Sequence, residues 1–260
     1  MRYVIATLLL LTLTGCIVWY SNDLSHVGTP PNPNDPRQAG VLTPEVLRRI
    51  LAGASDSLQE REMKGEIDDA KFHELMSEAA NRLLDEVDIG RIPPKQAWEY
   101  GEIYITAQRW EDAKKALLIA VKAAKNDDRR VNDKLRLARV MAELNDVPGA
   151  ISTARSTFDV PDGATAPILP ATLLEIVKAG EGKAHDAELA ALLEDAIKCE
   201  MRTIVDPKSK PGQDFLTARP FHIRNAWRKV VELYVAAGKT QEADSAEKRA
   251  EQMLSQQAGA

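Results

Sequence analysis

The stretch Pro94–Asn126, PKQAWEYGEIYITAQRWEDAKKALLIAVKAAKN, constrains this chain more than any other. It reads as two helices joined by a short turn, with small residues where the helices must touch. A hairpin of that kind leaves an apolar face that only another element can cover. The rest of the 260-residue chain is therefore expected to supply stacked partners, and it is long enough to bury a core.

Composition agrees with a helical reading. Apolar and charged residues make up 44% and 28%, aromatics only 5%. Chains rich in Ala and unbranched side chains lose little freedom in a helix. The formal charge of −5 argues against nucleic acid as a partner, because phosphate contacts need clustered Lys and Arg. The two cysteines, Cys16 and Cys199, would pair a leader with a helix, so each reads as a lone thiol. Cys199 follows Leu192 and Ala196 at helical spacing and reads as a small core residue.

The N-terminus reads as an address. A short basic start, Met1-Arg2-Tyr3, precedes the apolar run Val4–Leu13, which is too short for an ordinary membrane span. Leu13-Thr14-Gly15-Cys16 follows and resembles the lipobox of bacterial lipoproteins. The resemblance implies a signal peptide over 1–15 and a diacylglycerol thioether on Cys16, usually with an added N-acyl chain such as palmitate. Several acyl chains give stable anchoring where one is marginal. Ile17 follows the cysteine in place of the Asp that commonly retains enterobacterial lipoproteins in the inner membrane. This favours an outer-membrane anchor facing the periplasm, in a source with two membranes.

Residues 16–42 read as a lipid-anchored flexible tether. Pro, Asn, Gly and Asp dominate it and hydrophobic periodicity is absent. A coil of about 25 residues, at about 5–6 Å per square root of residue, reaches roughly 25–30 Å. Thr43-Pro44-Glu45 then starts a helix, with a hydroxyl N-cap, Pro at the first position and an acid in the first turn. Whether Gly53–Ser57 interrupts that helix or lengthens it is left open.

Leu58–Leu84 places Ile67, Phe72, Leu75, Met76, Ala79, Ala80, Leu83 and Leu84 on one buried face, after a helix end at Gly65 and a cap at Asp68. The string Gly65-x-Ile67-Asp68-x-x-Lys71-Phe72 is similar to the SHOCT module, a short helical oligomerisation motif. A degenerate helical hairpin explains the same residues, and both readings stand at this point.

Pro94–Asn126 itself resembles a tetratricopeptide repeat (TPR), a module that builds binding surfaces. Tyr100, Gly101 and Tyr104 sit at its seventh, eighth and eleventh places, and Ala113, Leu117 and Ala120 at its twentieth, twenty-fourth and twenty-seventh. Trp98 falls one place after the usual tryptophan. A second unit starts near Val131, with Leu137, Ala138, Met141, Ala150, Ala154 and Thr157 on the same places, slightly beyond the usual repeat of about 34 residues. A TPR-like hairpin follows over 170–179 and 185–205. The polar stretch 206–220 reads as a long insertion, and a last hairpin runs from Phe221 to Leu254. Residues 255–260 are expected to fray.

The expected fold is therefore all-α: stacked antiparallel helix hairpins over 43–254, forming a TPR-like right-handed α-superhelix. By resemblance, the concave face lined by first helices would bind a protein or peptide. Glu99, Glu102, Gln108 and Arg136 are its candidate residues. Phe215, Arg219, His222, Arg224 and Arg228 form a second, basic-aromatic candidate.

No catalytic, metal or cofactor site is expected. His73-Glu74 lacks the second histidine of a zinc protease, since Ser77 stands there. The Ala179–Ala184 stretch lacks the first glycine and the Ser/Thr of a phosphate loop. Ser245–Lys248 spells S-x-x-K without companion motifs. The reading is a membrane-anchored, non-enzymatic scaffold or adaptor of the bacterial cell envelope. The alternatives are a subunit of a peptidoglycan- or glycan-processing enzyme and a structural lipoprotein that forms homo-oligomers.

Overall fold

The computed structural model describes residues 43–85, 87, 89–158 and 169–258. The lipobox, Cys16 and the tether lie outside these residues. Among the described residues the chain is all-α, with ten α-helices and no strand. They are α1 Pro44–Met63, α2 Asp69–Leu84, α3 Ala97–Thr106, α4 Trp110–Ala123, α5 Asp127–Glu143, α6 Val147–Arg155, α7 Leu169–Gly180, α8 Asp186–Arg202, α9 Lys210–Ala236 and α10 Thr240–Ala258. A short 3-10 turn, Ile89–Arg91, precedes α3.

The helices pair in sequence: α1 with α2, α3 with α4, α5 with α6, α7 with α8, α9 with α10. Each pair packs on the next, mainly through α2 and α1 on α3, α4 on α5, α5 on α7, and α8 on α9. Two apolar clusters result. One is built from α1–α4 and the inner face of α5, with Leu47, Leu84, Tyr104 and Leu117 at its centre. The other joins α5–α10, with Leu173, Leu189, Leu193 and Trp227.

Local chemistry explains most helix boundaries. Thr43, Asp68, Asn126, Asp146 and Ser209 each accept a first-turn N–H through the side chain. Four of the five hairpin turns close in one geometry. At the α3–α4 turn, Gln108 N–H donates to Ile105 O and Arg109 N–H to Tyr104 O, at 3.0 and 2.9 Å. The same two bonds recur around Gly65, Asn145 and Gly238. In each turn the residue just past the helix lies at positive φ, between 56° and 70°. This is the Schellman arrangement, which satisfies two carbonyls of the helix end. The fifth turn, between α7 and α8, is closed differently. There Lys183 Nζ donates to Ala142 O at 2.8 Å and serves the end of α5.

Two glycines are dictated by close approach. A Cβ on Gly101 would stand 2.8 Å from Leu117 Cδ2, so α3 and α4 meet at that point. A Cβ on Gly212 would fall 1.9 Å from the Asp206 carbonyl, where the chain folds over the start of α9.

Two sequence expectations change, and one left open is settled. Residues 206–220 do not form a long insertion: α9 begins at Lys210 and runs unbroken to Ala236, with Pro220 inside it. Ser209 caps it and Pro211 sits in its first turn, where a missing N–H costs nothing. Pro220 does remove a donor, at a cost of about 3 kcal/mol. Burial of Phe215, Ile223 and Ala226 on both sides of it offsets that cost. The C-terminal helix continues to Ala258, beyond the expected boundary at Leu254. Through Gly53–Ser57, α1 is continuous.

Candidate functional site

Three first helices, α1, α3 and α5, bring six charged side chains and one tryptophan together. On α3, Trp98 and Glu102 are one helical turn apart, and Glu99 lies beside them. On α5, Arg129, Asp133 and Arg136 follow at i, i+4 and i+7, so all three share a face. Arg48 comes from α1. The Trp98 ring is the hub: the guanidinium carbons of Arg129, Arg48 and Arg136 lie 3.6, 4.7 and 5.8 Å from its centroid. Guanidinium groups favour this placement because the ring face carries negative charge.

Carboxylates pair the same three arginines. Arg48 Nη1 is 3.4 Å from Glu99 Oε2, and its Nε is 3.5 Å from Glu102 Oε2. Arg136 Nη2 donates to Glu102 Oε1 at 2.5 Å. Asp133, which is fully buried, accepts from Arg129 Nε at 3.0 Å and faces Arg136 Nη1 at 3.5 Å. The cluster holds three cations and three anions, and it ties α1 to α3 and α3 to α5. Arg48 and Arg136 remain partly exposed, with 44% and 32% of the side chain in solvent. Arg48, the most exposed of the three, is the guanidinium best placed to meet carbonyl or carboxylate groups of a partner, whereas Arg136 Nη1 and Arg129 Nη2 are buried. Beneath Glu99, burial pushes the Tyr100 phenol up to about 12, with the neighbouring Tyr104 and the Glu99 charge adding to it.

Of the residues expected on this face, Glu99, Glu102 and Arg136 are brought together. Gln108 is not. It occupies the α3–α4 turn at positive φ and edges a separate shallow depression beside His73, Ser77 and Asn81. In that depression the Ser77 hydroxyl and the Asn81 amide donate to Ala107 O at 3.2 and 2.9 Å, so both serve the end of α3.

The second candidate patch lies on α9, and at about 100° per residue the helix divides it. Phe215, Arg219 and His222 occupy one side, with Arg219 5.7 Å from the Phe215 ring. Arg224 and Arg228 project from the opposite side into solvent, and Arg228 pairs loosely with Glu232 at 4.0 Å. No single surface is formed by these five residues.

Sequence reading missed Arg48, Trp98, Arg129 and Asp133 as members of the first site. The Arg129–Asp133–Arg136 spacing was a usable signal, since it puts opposite charges on one helix face. Arg48 carried none, being 51 positions from Glu99. A further buried acid, Glu194, accepts from the Tyr234 hydroxyl at 3.0 Å and from Arg249 Nη2 at 2.8 Å, which ties α8, α9 and α10 together. Cys199 packs beside the second core and donates to Phe158 O at 3.4 Å.

No protein-family model matches this chain, and no curated protein matches it. One solved structure is similar, described as the crystal structure of BtubC (BKLC) from P. vanneervenii. The likeness covers 82% of this chain and 93% of that one, at 18% sequence identity and a TM-score of 0.41.

Proposed function

We propose that this protein is a lipid-anchored, TPR-like scaffold of the bacterial cell envelope, and that it binds a protein partner on the face shared by α1, α3 and α5. The observation that carries this reading is the Arg48–Trp98–Glu102–Arg136 cluster, which spans three successive hairpins. It is partly exposed, and Arg48 is its most exposed guanidinium. The repeated hairpin turn and the tight Gly101 position support the TPR-like part, and with it a right-handed superhelix. The order of basic start, apolar run, Leu13-Thr14-Gly15-Cys16 and tether supports the anchor on Cys16, placed on the periplasmic side of the outer membrane in a source that has one.

Two experiments test it. Full-length tagged protein is cross-linked in bacterial cells, side by side with the Arg48→Glu/Arg136→Glu variant. A reproducible partner held by the wild type and lost by the variant supports the scaffold. Identical recovery from both, or none from either, defeats it. Separately, Cys16→Ala should move the protein out of the detergent phase. Persistence there would rule out the anchor.

A further inference from the structure

A cavity of about 290 Å³ opens beside the arginine–tryptophan cluster, where the start of α3, the end of α4 and the start of α5 meet. Trp98, Ala120 and Ala124 give it apolar walls, and Arg129 with the buried Asp133 closes one side. Lys95 and Lys125 also line it, and both are exposed, so they stand at its mouth.

Charge pairing at this cavity is uneven. Asp133 is already held by Arg129 and Arg136. Asp127, at the start of α5, pairs with Arg130. Among the described residues neither Lys95 nor Lys125 has a hydrogen bond or an ion pair. The cavity thus carries two uncompensated ammonium groups in a chain whose formal charge is −5.

We propose that this cavity receives an acidic side chain, of the glutamate type, from a polypeptide bound on the neighbouring face. The proposal rests on the scaffold reading above and deepens it. An aliphatic stem fits against Ala120, Ala124 and the Trp98 edge. The carboxylate then lies between two ammonium groups at the mouth, where it stays partly hydrated and its desolvation cost is small. A compact inorganic anion fits less well, because it calls for several converging donors. The one guanidinium here, Arg129, gives its Nε to Asp133 and has its Nη2 buried, so the converging set is missing.

The test uses the full-length protein and a labelled peptide of alternating glutamate and alanine, with a glutamine–alanine peptide as control. Exposed ion pairs contribute little each, so the acidic peptide should bind about three- to tenfold tighter. That preference should shrink at about 0.5 M salt. It should vanish in Lys95→Gln/Lys125→Gln, whose exposed positions leave the thermal melt unchanged. Zero-length carbodiimide coupling should form an amide between a peptide glutamate and Lys95 or Lys125, located by mass spectrometry. Equal binding of the two peptides, no binding of either, or a preference that survives in the double variant overturns the proposal. So does displacement of the acidic peptide by inorganic phosphate alone at equal concentration. The in-cell cross-linking separates the two ideas. A partner retained by Lys95→Gln/Lys125→Gln but lost by Arg48→Glu/Arg136→Glu keeps the scaffold and removes the acidic pocket.

Discussion

The Arg136 guanidinium donates to Glu102 at 2.5 Å across 34 positions of sequence, and with Arg129 on the Trp98 ring it joins α3 to α5 on their polar side. Both side chains are about two-thirds buried, at 32% and 27% exposure. A double-mutant cycle with Arg136→Ala and Glu102→Ala, followed by urea unfolding, should give a coupling of about 0.5–1 kcal/mol. A coupling near zero would mean that apolar packing alone sets the relation of the two helices.

Gly101 offers a test in which two effects oppose each other. Alanine is the better helix former by about 1 kcal/mol. Overpacking costs typically 1–3 kcal/mol, and here the new methyl would press on Leu117, itself fully buried. Gly101→Ala is therefore expected to destabilise by up to about 2 kcal/mol, with Leu117→Val added to it recovering part of the loss. A variant as stable as the wild type would show that α3 and α4 have slack between them.

Gln108 holds a left-handed conformation at φ 56°, the same place that glycine takes in the turns at Gly65 and Gly238. An L side chain pays about 1 kcal/mol there. Gln108→Gly should raise the unfolding free energy by up to about 1 kcal/mol, and Asn145→Gly by less, since Asn tolerates this conformation. If the glycine variant keeps partner capture intact while it gains stability, Gln108 has a turn-forming role alone.

Alkaline stability should follow two tyrosines. Burial pushes Tyr100 and Tyr234 from 10.0 up to about 12, with the Glu194 hydrogen bond and charge contributing at Tyr234. A raised folded-state pKa means that the neutral phenol is favoured by folding. The stabilisation is complete below pH 10 and is lost as pH rises toward 12. Chemical unfolding at stepped pH should show a decline in that window, smaller in Tyr234→Phe. A wild-type curve flat to pH 12 would contradict it.

The helices were readable because their signals are local. Thr43-Pro44 and Asp68 announced starts, Gly65 announced an end, and Gly101 with Ala113 marked the place where two helices touch. The same local rules misread 206–220. Pro220 and the polar residues before it look like a break, and only the burial of Phe215 and Ile223 against the rest of the protein keeps α9 whole. Glu99, Glu102 and Arg136 were found because the hairpin pattern assigns faces to first helices. The same pattern assigned Gln108 to that face and failed, because its residue closes a turn.

By itself, then, the sequence determined the all-α class, the hairpin order and the caps at Thr43 and Asp68, all of which depend on groups within about four residues of one another. The tertiary structure decided which charges meet. Arg48, the Trp98–Glu102 pair and Arg136 come from three separate helices, and nothing within a turn of any one of the three names the other two. Their meeting depends on how α1, α3 and α5 lie once Leu47, Tyr104, Leu117 and Leu137 are buried between them. Side-chain packing over the whole body sets that geometry.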